Sequence, residues 1–200
     1  MELDPAIHVK EDNQVYRPAE DSYLLLRAID IAQTSSFLEI GTGTGLIALH
    51  AARAVRTVAT DISPFAVSLA RANAQRNGLP LHVIRADLFQ GLHGSFDVIA
   101  FNPPYLPLNP RGEWLDHAWS GGMGGDEVVL RFLRDAPGYL AEGGVMYLLL
   151  SAQNREGLRV ARTAFKTEEL ATEALFFEDI TVYGLRLRSD RGNPNPRSNL

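Results

Sequence analysis

The chain has 200 residues and no cysteine, which excludes a disulfide-bonded scaffold, a thiolate metal site and a cysteine nucleophile. It also lacks an excess of basic residues, because 19 Lys and Arg face 24 Asp and Glu and the net charge is −5. Proteins that cover duplex nucleic acid usually have the opposite balance, so nucleic acid is the less favoured partner. The five histidines are scattered without the spacing of metal ligands, so no metal site is predicted.

Long hydrophobic runs are absent as well. The longest strongly apolar run, residues 145–150, is far too short to cross a bilayer. The first residues lack the cationic and then apolar order of a signal peptide. With 46% hydrophobic and 22% charged residues the composition is that of an ordinary globular protein, so we expect a soluble cytoplasmic protein with no membrane partner.

Helical and extended segments alternate along the chain. Predicted helices cover residues 18–33, 46–54, 64–77, 126–140 and 153–165, and predicted strands cover residues 36–40, 57–61, 81–86, 96–101, 145–150, 170–177 and 180–187. Continuous apolar strands separated by helices indicate a parallel sheet covered on both faces. The last two strands are separated by only two polar residues and must be antiparallel, because a parallel return needs a longer crossover.

The predicted fold class is therefore α/β, a doubly wound and mostly parallel seven-stranded sheet with a C-terminal antiparallel hairpin. We expect residues 1–188 to form a single domain with a short helical N-terminal extension. Residues 189–200 are polar and rich in proline and asparagine, and we expect a disordered tail there.

A glycine-rich turn follows the first predicted strand, with glycines at Gly41, Gly43 and Gly45. Ligands of doubly wound sheets bind beyond the carboxyl ends of the strands, and glycine lets a ligand approach the backbone closely. The third glycine comes one residue earlier than in the dinucleotide fingerprint G-x-G-x-x-G. Glu39, two residues before the first glycine, would repel a pyrophosphate but suits a cation such as S-adenosylmethionine. The structural alternative is a plain glycine-rich turn that binds no ligand.

Two aspartates follow the next strands along the chain. Asp61 ends the second predicted strand and can accept hydrogen bonds from both hydroxyls of a ribose. Asp87 follows the third and can accept from an adenine amino group, with Ile62 and Leu88 on the two sides of the ring. Either aspartate alone could be a strand-end cap, but together with Glu39 they favour a nucleoside ligand.

The segment Asn102-Pro103-Pro104-Tyr105 follows the fourth predicted strand and lies at the same rim. The prolines fix φ and bring no backbone N–H, so the segment is stiff and rich in acceptors. The side-chain carbonyl of Asn102 and the backbone carbonyl of Pro103 can hold both hydrogens of a planar –NH2 group and direct its lone pair at an electrophile. Tyr105 can stack on a flat amide or base and contact a cationic methyl donor. A rigid proline turn without a catalytic role is the structural alternative.

These motifs resemble the class I, Rossmann-like methyltransferases that modify planar amino groups. Residues 15–22, of sequence VYRPAEDS, and residues 118–122, of sequence AWSGG, make the chain similar to the HemK-type release-factor glutamine N5-methyltransferases, in the short form without the bacterial N-terminal domain. The resemblance covers roughly residues 15–188. It implies protein methylation linked to translation termination, a release factor as substrate and a small zinc-ribbon activator subunit as a partner.

The resemblance also assigns site residues. Contacts to S-adenosylmethionine are implied for Ser22, Glu39, Gly41, Asp61, Asp87, Leu88 and Asn102, to which the glycine loop and ring contacts add Gly43, Gly45 and Ile62. The acceptor glutamine would contact Asn102, Pro104 and Tyr105, and catalysis is assigned to Asn102, Pro103 and Tyr105. The loop of residues 121–126 would flank the substrate entrance, or it could be a plain crossover loop.

Three other functions stay open at this point. The same site could methylate the exocyclic amino group of a base in RNA or DNA. A fold of this kind could also bind its cofactor and regulate a partner without chemistry, or serve as a nicotinamide oxidoreductase. The asparagine and prolines after the fourth strand favour amino-group methylation over the binding module, and the glycine spacing and Glu39 disfavour a dinucleotide.

Overall fold

A computed structural model gives the structure of residues 1–104, 126–175 and 178–188. The helices are α1 (Glu20–Ala28), α2 (Leu46–Ala51), α3 (Pro64–Asn77), α4 (Glu127–Asp135) and α5 (Arg155–Ala164), and the strands are β1 (Ser36–Ile40), β2 (Arg56–Asp61), β3 (Leu81–Arg85), β4 (Phe96–Phe101), β5 (Leu140–Ser151), β6 (Phe165–Ala174) and β7 (Asp179–Leu187). Tyr105, the loop of residues 121–125 and the predicted tail lie outside the described residues. The single-domain boundaries and the cytoplasmic location stay predictions.

The seven described strands form one sheet in the order β3-β2-β1-β4-β5-β7-β6. Strands β1 to β5 pair in parallel, whereas β7 pairs antiparallel with both β5 and β6. The predicted fold class and the C-terminal antiparallel hairpin are confirmed. The chain runs from β1 outward to β3 and then returns to β4 on the other side of β1, so the crevice for a ligand lies between the ends of β1 and β4.

Helices cover both faces of the sheet, as continuous apolar strands require. Successive side chains of a strand point to opposite faces. Phe37 and Val98 therefore join one buried cluster with α1 and α2, and Leu38 and Ile99 join another with α4 and α5. Helix α3 packs over β2 and β3. No helix within the described ranges has the length and apolar character that a membrane span requires.

Three predicted helices end several residues earlier than their apolar pattern suggested, and one of them, α2, ends at Ala51 rather than at residue 54. Helix α1 ends at Ala28 rather than near residue 33, and the Asp30 carboxylate accepts from the backbone N–H of Ala32 in a local turn that replaces the helix. Helix α4 ends at Asp135 and passes into a short 3₁₀ turn, Ala136–Gly138, whose Pro137 has no N–H to donate to a continuing helix.

Two strands begin five residues earlier than predicted. Strand β5 begins at Leu140, five residues before the predicted start, and runs through Gly143 and Gly144. Strand β6 begins at Phe165, directly after α5, although its first residues are largely polar. It lies at an edge of the sheet, so its exposed side chains carry no apolar alternation for a sequence pattern to detect.

The amino ends of β1 and β4, opposite the ligand crevice, are joined by one carboxylate. Asp97 Oδ2 accepts from the backbone N–H and the hydroxyl of both Ser35 and Ser36, at 2.9–3.0 Å. The backbone N–H of Asp97 donates in return to Ser36 Oγ at 3.1 Å. These bonds hold the pKa of Asp97 below its usual value of 3.8. The bond from the Ser35 backbone has the largest effect, and those from the Ser36 and Ser35 hydroxyls add to it.

We expect Asp97→Ala to lower the free energy of unfolding by about 1–3 kcal/mol, because two backbone N–H groups lose a charged acceptor. Since the folded-state pKa of Asp97 is lowered, its stabilisation is complete above pH 3.8 and is lost as the pH falls through that lower pKa. Urea unfolding at neutral pH and through the acidic range measures the effect. The difference between variant and wild type should shrink on acidification, and equal urea midpoints at neutral pH would contradict this role.

Candidate functional site

A single cavity lies at the carboxyl ends of the parallel strands and collects most of the predicted site residues. Its lining includes Ser22, Glu39, Gly41, Gly43, Asp61, Ile62, Asp87, Leu88, Asn102, Pro103 and Pro104. The predicted residues therefore come from α1, β1, β2 and the segments after β1, β2, β3 and β4. The sheet brings together groups that are far apart in the sequence.

Gly45 does not line this cavity in the described part of the chain. It is the N-cap of α2 with φ +88°, and a Cβ there would lie 3.3 Å from the Cβ of Ala70 in α3. A side chain at this position would be strained and would push two helices apart. Gly45 therefore shapes the loop and the packing of α2, whereas Gly41 and Gly43 are the glycines that border the cavity.

Glu39 is a buried carboxylate on the floor of the cavity. Its Oε2 accepts from Thr42 Oγ1 at 2.6 Å and from the backbone N–H of Ala48 at 3.0 Å. Both bonds go to Oε2, which leaves Oε1 available to a cation in the cavity. Burial raises the pKa of Glu39 to about 8, against the lowering effect of these two bonds, and the nearby charge of Asp61 raises it further.

Asp61 connects the glycine turn to the end of β2. Its Oδ2 accepts from the backbone N–H of Gly43 and its Oδ1 from the backbone N–H of Ser63, both at 2.9 Å. Burial raises the pKa of Asp61, and these backbone bonds oppose the rise. The carboxylate is thus fixed on two sides and borders the cavity, and its contact with two ribose hydroxyls stays a prediction.

Asp87 and Leu88 close the cavity at the end of β3. Leu88 adopts a left-handed backbone with φ +52°, which is strained for a branched side chain, and it is buried against the core. Ile62, which follows β2, lines the same cavity and is 45% exposed. Leu88, Ile62 and Asp87 therefore line one cavity, and their contacts with an aromatic base stay a prediction.

Asn102 carries the most informative atom of the site. Its Nδ2 donates to Asp21 Oδ2 at 2.9 Å, and because a carboxylate only accepts, this bond turns Oδ1 the other way. Among the side chains that the structure describes, Asn102 Oδ1 is the one buried polar atom without a hydrogen-bond partner. A buried unpaired acceptor costs about 1–3 kcal/mol, so its presence here points to a donor that a ligand supplies.

The orientation of Asn102 depends on a cluster around Asp21, in the first turn of α1. Tyr16 donates its hydroxyl to both carboxylate oxygens, at 3.0 and 3.1 Å. Ser22 donates to Oδ1 from its backbone N–H at 2.6 Å and from its hydroxyl at 3.1 Å. Ser22 therefore borders the cavity as predicted, and its hydroxyl is used to hold Asp21.

The first residues of the chain also shape the cavity, which the sequence pattern did not predict. Asn73 of α3 exchanges two hydrogen bonds of 3.0 Å with the backbone of Lys10 and donates to the carbonyl of Thr44 in the glycine turn. Asn77 binds the backbone of His8 in the same paired way, at 2.8 and 2.9 Å. This fixed path delivers Gln14, Val15 and Tyr16 to the cavity wall.

Helix α4 contributes two further residues that sequence reasoning missed. Val128 and Arg131 lie one turn apart and line the cavity, and Arg131 donates to Asp87 at 2.6 Å. Their three-residue spacing places them on one side of a strongly amphipathic helix, and Val129, Phe132 and Leu133 occupy its buried side. The spacing could have shown that Val128 and Arg131 share a helix face, but it could not show that Arg131 contacts Asp87.

The chain is similar to methyltransferases in sequence and in structure. Residues 13–178 match the family model described as methyltransferase small domain. A protein of Methanocaldococcus jannaschii, provisionally named protein N5-glutamine methyltransferase, is 40% identical, with 88% of this chain and 93% of that protein covered. Human methyltransferase HEMK2 is 32% identical over 76% of this chain and 79% of its own length. A chain of the Mtq2–Trm112 complex of E. cuniculi, whose title concerns methylation of the translation termination factor eRF1, superimposes with a TM-score of 0.70. That chain is 28% identical, and the match covers 88% of this chain and 99% of that one.

Proposed function

This chain belongs to the methyltransferase small domain family, and we propose on that premise that it transfers a methyl group from S-adenosylmethionine to the side-chain amide nitrogen of a glutamine in a peptide-chain release factor. The buried, unpaired Asn102 Oδ1 carries the proposal, because it offers an acceptor to one hydrogen of a planar –NH2 group. The names of the relatives in M. jannaschii and of the eRF1-methylating Mtq2 support the choice of a glutamine in a release factor.

The stiff segment after β4 supplies the rest of the acceptor site. Pro103 and Pro104 line the cavity beside Asn102 and carry no N–H that could compete for its oxygen. The carbonyl of Pro103 is the natural second acceptor, so the two amide hydrogens would be held and the nitrogen lone pair directed outward. Holding both hydrogens favours the positive charge that develops on nitrogen as the new bond forms. The predicted stacking of Tyr105 on the amide stays a prediction.

The carboxylates at the strand ends fit the cofactor. Glu39 Oε1 suits the ammonium group, Asp61 the two ribose hydroxyls and Asp87 the adenine amine, in the order in which β1, β2 and β3 stand in the sheet. When bound, S-adenosylmethionine supplies an electrophilic methyl group on a sulfonium. Asn102 and Pro103 would hold the amide with its nitrogen toward that methyl group. Transfer to this nitrogen would leave a neutral thioether and release one N–H proton to water, so no side chain has to act as a base beforehand.

A protonated Glu39 predicts that cofactor binding releases a proton. With a pKa of about 8 this carboxyl is mostly protonated at about pH 7, and a cation beside it restores the carboxylate. We expect release of close to one proton at that pH, and a dissociation constant that decreases as the pH rises toward 8 and then levels off. Calorimetry in buffers of different ionisation enthalpy measures the proton release. Glu39→Gln is the control that should abolish it, and a wild type that releases no proton would contradict the assignment.

We further propose that a small zinc-ribbon subunit pairs with the β3 edge of the sheet. Strand β3 is an end strand, and Ile84 on it is 39% exposed. Exposed edges of this kind accept an additional strand from a partner. The related Mtq2 forms a complex with Trm112. Ile84→Lys should weaken copurification of a zinc-binding subunit, read out by the zinc content of the purified complex, and unchanged zinc content would contradict the placement at β3.

The acceptor is tested by incubating the purified protein with labelled S-adenosylmethionine and, in parallel, with release factor from the same cells and with total RNA. We expect label in the release factor, located by mass spectrometry on a glutamine side chain. Label in RNA with none in the release factor would mean that the acceptor is a base amino group and not a glutamine. Binding of NADH without binding of S-adenosylmethionine would show that the proposed cofactor is wrong.

A further inference from the structure

The ion pair between Arg131 and Asp87 lies inside the cofactor cavity rather than on the outer surface. Arg131 Nη2 donates to Asp87 Oδ2 at 2.6 Å, and both side chains line the cavity with about a third of their surface exposed. Other arginine–carboxylate pairs of the described residues, such as Arg134 with Asp135 and Arg159 with Glu156, are more exposed and do not line the cavity. The position of the Arg131 pair therefore suggests a role in binding.

The pair leaves one oxygen of Asp87 for a ligand. With Oδ2 held by Arg131, Oδ1 is the free acceptor after β3, next to Leu88 in a cavity that Ile62 also lines. A guanidinium holds a carboxylate in a defined orientation. A carboxylate fixed in this way accepts from an amine at one place, whereas a free aspartate side chain would rotate and be hydrated.

The placement of Arg131 is itself fixed by the packing of α4. On the other side of the helix, Val129 and Phe132 are fully buried in the core. At the start of the helix, Asp126 accepts from the backbone N–H groups of Glu156 and Gly157, at 3.2 and 3.1 Å, which ties α4 to the first turn of α5. Arg131 therefore reaches Asp87 from a rigid element.

We infer that Arg131 is a positioning residue that sets the specificity of the cavity for a 6-amino purine, by holding Asp87 Oδ2 so that Oδ1 meets the adenine amine. This inference rests on the proposed function, because it takes the adenosyl group to lie against Asp87. Helix α4, which follows the segment of Asn102, Pro103 and Pro104 along the chain, then takes part in recognising the cofactor.

The test compares two ligands that differ only in the amine. The probes are S-adenosylhomocysteine and its analogue with an unsubstituted purine base, titrated by calorimetry into the full chain and into Arg131→Met. We expect Arg131→Met to weaken S-adenosylhomocysteine binding roughly tenfold and to change binding of the purine analogue little, so that the preference for the amine falls. Arg131→Lys should recover part of the preference, and Asp87→Asn combined with Arg131→Met should lose no more than Asp87→Asn alone.

Arg134→Met is the matched control, because Arg134 lies one turn further along the same helix and pairs with Asp135 away from the cavity. It should bind both probes like the wild type. If Arg131→Met lowers the melting temperature or weakens both probes equally, Arg131 is structural and the inference is wrong. If the wild type binds neither probe, the proposed cofactor is wrong as well. This outcome is distinct from a failure of the Arg131 inference alone, in which the wild type still binds S-adenosylhomocysteine.

Discussion

Asn102→Ala is expected to lower kcat for methyl transfer by about 10²–10³-fold, the scale seen when one preorganised polar group is removed from a transition state. The substitution removes the buried Oδ1 acceptor and leaves Asp21, which supports it, in place. Because cofactor contacts are assigned chiefly to the carboxylates at the ends of the strands, the dissociation constant for S-adenosylmethionine should change much less than kcat. Single-turnover methylation of release factor with saturating cofactor measures the effect.

Asp21→Asn tests the orientation of the same amide without removing it. A carboxylate accepts only, so Asp21 forces Asn102 to direct Nδ2 toward it, whereas an asparagine at position 21 can also donate. Asn102 could then turn over and present its –NH2 to the substrate, and we expect kcat to fall about tenfold. If Asn102→Ala costs less than tenfold in kcat, the asparagine is a structural residue and the proposed transfer geometry is wrong.

Asp61→Ala is expected to raise the dissociation constant for S-adenosylmethionine by about 10²-fold, while kcat at saturating cofactor stays within a few-fold of the wild type. Hydrogen bonds to a charged acceptor contribute about 1.5–3 kcal/mol each, and the carboxylate is assigned to two ribose hydroxyls. The same carboxylate holds the Gly43 and Ser63 backbone, so part of the loss comes from a less ordered glycine turn. Calorimetric titration and a full kinetic analysis separate affinity from turnover.

Asp135→Ala is the control for this substitution, since Asp135 is a carboxylate at the end of α4 whose bonds go to the neighbouring Arg134. It removes the same charge and should leave the affinity unchanged. A dissociation constant that does not move in Asp61→Ala would remove Asp61 from the ribose contact. A drop in kcat at saturating cofactor as large as the change in affinity would place Asp61 in the chemical step.

The parts of the site that follow directly from a strand were predictable from the sequence. Glu39, Asp61 and Asp87 come at or just after apolar runs, and the carboxyl ends of parallel strands share one rim, so their proximity follows from the fold class. The structure places all three at the same cavity. Asn102 was predicted for the same reason, although the unpaired state of its oxygen was not.

The supporting contacts were not predictable, because they join elements by tertiary packing. Asp21 and Asn102 are 81 residues apart, and Arg131 and Asp87 are 44 apart. The two acidic residues at the start of α1 have an adequate local explanation as partners of the helix dipole, which concealed the contact of Asp21 with Asn102. The edge strand β6 was shortened in the prediction for a related reason, because an exposed strand shows no apolar alternation.

The bonds of Asp126 to the first turn of α5 have a consequence for how related chains can diverge. They hold the start of α4 through α5, and Val129 and Phe132 hold its middle through the core, so within the described residues the position of Arg131 is set by contacts of residues from Asp126 onward in the sequence. We therefore expect that related chains can conserve this wall of the cavity independently of the residues that choose the acceptor.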